Sequence, residues 1–252
     1  MLIKTILAAV TAVSVLSACA GAPSGGSSGS ATTESPADTS AVSSAVEKIT
    51  ADAEKLTEEM RSGTSDAKTD PTEESEMSED MKYIALTFDD GPNSTTTNEV
   101  IDKLEKYGIV ASFFLIGNNI NDESAKAVKR AYDLGCEIDN HSRTHSNMTE
   151  LSAEEIQEEF KFVDDKVVEI TGEHTKFFRP PYISVHQIMF DNIDVPFIAG
   201  IGANDWEDRV TAEMRAKMIL KQAKDGDIIL LHDAEGNSMT VEALDTIVPE
   251  LQ

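Results

Sequence analysis

The sequence predicts an α/β domain built on a parallel sheet, preceded by a long polar tether. Three observations carry this expectation. From Lys82 onward, apolar runs that read as strands alternate with segments of helical periodicity, the pattern of a parallel sheet either open and doubly wound or closed as a barrel. Gly108, Gly135 and Gly172 each follow a helical segment, where a glycine in the left-handed conformation commonly ends a helix. From Ala20 to about Asp80 the chain turns to Gly, Ser, Thr, Ala and acidic residues and is nearly devoid of aromatics. Such a segment cannot bury enough apolar area to offset its ordering entropy.

The elements follow in order. Met1-Leu2-Ile3-Lys4 and the apolar stretch from Thr5 to Leu16 have the basic start and short hydrophobic region of a secretory signal, shorter than the ~20 apolar residues of a membrane span. The stretch ends Leu16-Ser17-Ala18-Cys19, which resembles the lipobox of bacterial lipoproteins. That resemblance implies a signal peptide over 1–18, lipidation of Cys19, and an extracytoplasmic protein anchored by lipid to the bacterial cell membrane. Residues 19–80 are expected to be a flexible acidic tether. Within it Val42, Val46, Ile49, Ala53, Leu56 and Met60 form the seam of a short, transient amphipathic helix.

The domain is expected over 81–252. Strands are predicted at 82–88, 110–116, 136–139, 176–179, 196–199 and 227–231, and helices at 94–107, 122–134, 152–171, 211–224 and 240–250. Ser152-Ala153-Glu154-Glu155 has the form of a capping box opening the third of these helices. Functional residues on such a sheet gather at strand C-termini. Asp89, Asp90, Arg179 and His232 all fall at or just past the end of a predicted strand.

The formal net charge is −25, and both the tether and the domain are acidic. This excludes a basic patch for nucleic acid or anionic lipid, so the membrane is met only through the lipid anchor. Monomer is the default state. Of two cysteines, only Cys136 lies in the domain, which leaves no disulfide framework, and its apolar surroundings make it a small core residue.

The chemistry is concentrated in Thr87-Phe88-Asp89-Asp90-Gly91-Pro92. Two adjacent carboxylates stand at the end of the apolar run Tyr83-Ile84-Ala85-Leu86, where Gly-Pro turns the chain. Like charges at close range disfavour each other's ionisation, so the pair calls for a cation, a strong donor or a shared proton. His141-Ser142-Arg143-Thr144-His145 adds two imidazoles four residues apart, a spacing that lets both face one ion. Two histidines and one carboxylate leave coordination positions open, as catalysis requires.

These segments, with Arg179-Pro180-Pro181-Tyr182, Asp205-Trp206, Leu230-Leu231-His232 and the strand Ala111–Asn118, resemble the ordered motifs of the NodB-homology polysaccharide deacetylases, carbohydrate esterase family four. The resemblance covers about residues 82–245. It implies a distorted, incomplete (β/α) barrel and metal-dependent removal of acetyl groups from an acetylated polysaccharide, first among them the N-acetylglucosamine residues of peptidoglycan or a chitin-like polymer. Acetylxylan O-deacetylation, or a silent carbohydrate-binding lipoprotein, are the alternatives. Asp90, His141 and His145 would bind the divalent metal, zinc by preference, with cobalt or nickel as substitutes. Asp89 would be the general base, oriented by Arg179, and His232 the general acid, held protonated by Asp205. The Tyr182 backbone amide would stabilise the oxyanion, while Trp206 and Leu230 would line the acetyl pocket. His174 and His186 have no supporting spacing and read as surface residues.

The chain departs from the family pattern in three places. Gly202 stands where an Asp usually opens the fourth motif, and Ile183 where a Gly usually follows the tyrosine. The chain also stops short of a last apolar strand, which bears on how the barrel closes.

Overall fold

The structure, a computed structural model, describes Leu2–Lys4 and residues 82–252. The apolar stretch from Thr5 to Leu16, Cys19 and the seam from Val42 to Met60 lie outside the described residues.

The central strand is β2, Tyr83–Asp89, buried along nearly its whole length. Successive side chains on a strand point to opposite faces. Ile84, Leu86 and Phe88 join the main apolar cluster, whereas Ala85 packs with Phe114, Phe177, Ile198 and Ile228. Thr87 and Asp89 share the face of Ala85, and both meet the Arg179 guanidinium there. Burial on both faces explains the continuous apolar run that marks this strand in the sequence.

Parallel neighbours flank β2. On one side runs β3, Ser112–Leu115, followed by β4, Glu137–Asn140; on the other runs β5, Ile228–His232. A three-residue strand, β1 (Leu2–Lys4), pairs with the first half of β2, opposite Tyr83–Ala85.

The long helices are α1 (Thr96–Tyr107), α2 (Ser124–Asp133), α3 (Ala153–Thr171), α5 (Ala212–Gln222) and α6 (Ser238–Leu251), with one short turn, α4 (Gln187–Phe190), between α3 and α5. Helix α1 buries Val100, Ile101 and Leu104 against the outer face of the sheet and ends at Gly108, whose φ of 63° suits glycine. Helix α3 opens on the expected capping box: Ser152 Oγ accepts from the Glu155 N–H, and Glu155 accepts from the Ser152 N–H. A cap of this kind contributes about 1 kcal/mol. Among the described residues, no helix is long and apolar enough to cross a membrane.

The strands expected at 176–179 and 196–199 are reduced to single-residue bridges. Asn140 pairs with Phe178, Phe178 with Phe197, and Ile201 with Ile229, all parallel. Pro180, Pro181 and Pro196 account for this, because proline cannot donate to a ladder. The bridges nonetheless complete a circuit from β4 through Phe178 and the 197–201 segment back to β5. The strands and these bridges together make the expected distorted and incomplete barrel.

Candidate active site and metal centre

Closing the sheet brings several strand ends to one rim. Asp89 ends β2 and His232 ends β5, and the two are register partners. Beyond β4 the chain delivers His141, and beyond the Phe178 bridge it delivers Arg179. A cleft of about 630 Å³ opens at this rim, lined by both carboxylates, both motif histidines, Tyr182, Trp206, Leu230 and His232.

Adjacent residues on a strand point apart, yet Asp89 and Asp90 reach the same place. Asp90 lies past the strand with a φ of 73°, which swings its side chain back toward the rim. Two contacts hold that turn: Asn119 Nδ2 donates to the Asp90 carbonyl at 2.8 Å, and the Gly91 N–H donates to Asp233 Oδ1 at 3.1 Å. Asp90 Oδ1 then lies 3.5 Å from His141 Nε2 and 3.4 Å from His145 Nε2, while Asp89 Oδ2 is 3.8 Å from His141 Nε2.

Asp90, His141 and His145 present ligand atoms that all lie within 4.8 Å of one another. Asp90 Oδ1 is buried with no hydrogen-bond partner, a costly state for a carboxylate unless a cation completes it. His141 Nδ1 is 2.6 Å from the Arg179 carbonyl; as donor to that oxygen it leaves the Nε2 lone pair facing Asp90. Burial lowers the His141 pKa, against the pull of Asp89 and Asp90, and so favours the neutral form that ligates metals. The His145 backbone N–H donates to Ser142 Oγ at 3.1 Å, which holds the turn that carries the second imidazole. This donor set fits a divalent cation.

Arg179 is fully buried inside the barrel. Its Nη1 donates to Asp89 Oδ1 at 2.6 Å and Thr87 Oγ1 at 2.9 Å, its Nε donates to the Ile198 carbonyl at 3.3 Å, and its guanidinium lies 4.1 Å from the Phe114 ring centre. Asp89 is thus aimed by a buried cation that Thr87, the Ile198 carbonyl and the Phe114 ring hold in place.

His232 is held from the other side. Its Nδ1 lies 2.7 Å from Asp205 Oδ1, and its backbone N–H donates to Asp205 Oδ2 at 2.8 Å. Thr240 Oγ1 donates to the same Oδ2 at 2.7 Å. Burial opposes charging of the imidazole, but the bond and charge of Asp205, aided by Asp89 and Asp90, raise its pKa to about 9. Burial likewise disfavours the Asp205 anion, yet the bonds from His232 and Thr240 keep its pKa below the ordinary value. Trp206 meets His232 edge-on with ring centres 5.5 Å apart, and Tyr182 meets His145 edge-on at 4.7 Å, so an exposed aromatic stands on each side of the cleft.

The fold therefore brings together every residue proposed for the site within the domain. His174 is elsewhere, on Asp164 at 2.7 Å, and His186 caps α4. Cys136 is buried in the main core. Sequence reasoning missed Asp233. This residue is fully buried and accepts from the Gly91 N–H and from Thr97 Oγ1, at 3.1 and 2.5 Å. Burial raises its pKa to about 7, with Thr97 opposing and the charges of Asp90 and Asp89 adding to the rise. Its one sequence signal was its place next to His232. Arg215, Asn237 and Thr240, which buttress Asp205, carried no signal at all.

Residues 76–193 match the family model described as polysaccharide deacetylase. A family 4 acetyl xylan esterase from Clostridium thermocellum, solved in complex with a cobalt ion, superposes with a TM-score of 0.65 at 41% identity, covering 67% of this chain and 82% of that one. The chain belongs to the polysaccharide deacetylase family. Two other members are similar in sequence: a bifunctional xylanase/deacetylase from Pseudobutyrivibrio xylanivorans, 50% identical over 69% of this chain, and the peptidoglycan-N-acetylglucosamine deacetylase PgdA of Listeria monocytogenes, 34% identical over 68%. The chain spans only 29% and 36% of the lengths of these two relatives.

Within this polysaccharide deacetylase domain two of the three departures, Gly202 and Ile183, lie at the cleft. Gly202 lines it with room for a larger side chain, since an added Cβ would meet only the Leu230 carbonyl, at 3.5 Å. Ile183 also lines it, with a φ of 53°.

Proposed function

We propose that this protein hydrolyses acetyl groups from a polysaccharide, using a divalent metal held by Asp90, His141 and His145. The observation that carries the reading is the convergence of three ligand atoms beside an Arg-paired carboxylate and an Asp-paired histidine, all in one cleft. When bound, a divalent cation supplies Lewis acidity, which favours deprotonation of a water and polarises an acyl oxygen.

The chain's own groups do the rest. Asp89 accepts the proton of the attacking water through the oxygen that Arg179 leaves free. The Tyr182 amide N–H steadies the developing oxyanion. His232, charged because Asp205 holds the proton on it, donates through Nε2 to the departing nitrogen or oxygen, so that the acyl–heteroatom bond breaks and acetate and a free amine or alcohol result. Trp206 and Leu230 enclose the methyl group. Zinc suits a two-histidine, one-carboxylate site, with cobalt or nickel as replacements.

Two polymer classes share this chemistry. N-acetylglucosamine polymers are supported by the likeness to PgdA and by the polar, acidic sequence of residues 19–80, which reads as a tether toward a cell wall. Acetylated xylan is favoured by the identities, which are higher to the xylanase-linked and acetyl xylan esterase relatives. Acetate release by metal-loaded protein from an N-acetylglucosamine oligomer and from acetylated xylan separates the two, and failure on both overturns the enzymatic reading. Anchoring through Cys19 rests on the lipobox-like sequence, and fatty-acid labelling that persists in Cys19→Ala would refute it.

A further inference from the structure

Among the described residues, six that are not glycine have left-handed backbones: Asp90, Ser142, His145, Tyr182, Ile183 and Asn204. All lie in or next to the cleft. For Asp90 and His145 the conformation turns a ligand toward the candidate metal centre, Ser142 accepts from the His145 backbone N–H, and asparagine tolerates this region. Ile183 is different. A β-branched residue is among the least suited to positive φ, and here it follows Tyr182, which is itself left-handed at 60°. Glycine would take the same backbone without steric cost.

Packing does not explain why isoleucine stands there. Its side chain is 43% exposed and lines the cleft rather than joining the core. An exposed apolar side chain held on strained backbone at the edge of a binding cleft points to contact with a ligand. The neighbouring geometry says which part of the ligand. An acyl group placed between Tyr182 and Trp206 leaves the rest of a sugar chain to continue past one of these walls, and Ile183 extends the Tyr182 wall.

Resting on the deacetylase reading, we infer that Ile183 is a specificity-determining residue whose side chain packs against the C–H face of the sugar flanking the acetylated one.

The full-length, metal-loaded protein tests this by binding, with Asp89→Asn in every titrated protein so that no acetylated oligomer is consumed. Trp206 is the only tryptophan of the chain and stands in the cleft, so its fluorescence reports occupancy. Xylohexaose and N-acetylchitohexaose are titrated into the parent and into Ile183→Gly, Ile183→Asn and Ile183→Val. For the oligomer bound, Gly and Asn are expected to raise Kd about tenfold, and Val to leave it within about twofold. Gly is also expected to raise Tm by relieving the backbone. Equal Kd in all four proteins overturns the inference, as does binding of neither oligomer. If Asn binds like the parent while Gly does not, the loss belongs to loop looseness and the inference also fails. Ile183-dependent binding without acetate release from either acetylated polymer by the protein with Asp89 intact leaves the sugar contact standing and overturns the deacetylase reading instead.

Discussion

Asp89 and His232 are register partners across the parallel pair β2 and β5, and each is held by a buried group of opposite sign. Arg179 grips Asp89 from inside the barrel, and Asp205 grips His232 from the far side. A proposed base and a proposed acid thus stand at a separation set by the backbone ladder rather than by flexible loops. Preorganisation of this kind keeps proton-transfer partners in place without an entropic cost at the moment of reaction.

The two carboxylates are expected to separate cleanly under mutation. Asp89→Asn removes a base and no ligand, so kcat should fall by about 10²–10⁴-fold with metal content unchanged. Asp90→Ala should lose metal and turnover together. Elemental analysis beside acetate release reads both, and an Asp89→Asn protein as active as the parent would refute the assigned roles.

Metal should stabilise the fold. An ion bound at a hundred times its Kd adds about 2.7 kcal/mol, readable as a rise in Tm when zinc or cobalt is added to chelated protein. Asp90→Ala and His141→Ala should abolish the rise. A thermal shift that survives both substitutions would place the ion elsewhere.

The state of His232 predicts a pH dependence. Its pKa in the fold is about 9, above the ordinary 6.5, so folding favours the protonated form. The resulting stability is fully present below about pH 6.5 and is lost as pH rises through about 9. Asp205→Asn should move the imidazole titration of metal-free protein to lower pH, and the alkaline limb of kcat/KM with it. NMR titration of the ring is the direct measurement. An unchanged midpoint would show that Asp205 does not set it.

Gly91 should tolerate no side chain. A Cβ there would lie 2.5 Å from Asp233 Oδ2, an oxygen already engaged by Thr97 Oγ1. Gly91→Ala is expected to destabilise the protein by about 1–3 kcal/mol in urea unfolding, and to weaken metal binding by shifting Asp90. Adding Asp233→Ser should recover part of the loss. A double variant with strictly additive effects would mean that the two residues are not coupled.

Much of this architecture was legible in the chain. Strands β2 to β5 and the long helices were visible because each buries a face, and burial imposes periodicity on sequence. The Ser152–Glu155 cap and the glycine at 108 were visible because local backbone geometry demands those residue types. The segments at 176–179 and 196–199 were overread as strands: their apolar content was real, but the flanking prolines limit them to single bridges. Asp233 and the Arg215–Thr240 buttress left no trace, since they act across more than twenty residues of separation and a buried polar residue looks like any other in a sequence.

What the sequence alone determined was the set of chemical groups: two adjacent carboxylates, two histidines four apart, and an arginine, an aspartate and a histidine near strand ends. What only the tertiary structure decided was which of them meet. Strand alternation sends neighbouring side chains to opposite faces, so Asp89 and Asp90 share a site only through the left-handed turn at Asp90, braced by Asn119 from β3's side and Asp233 from β5's. That turn is set by hydrogen bonds between segments distant in the chain, and no local pattern of residues encodes them.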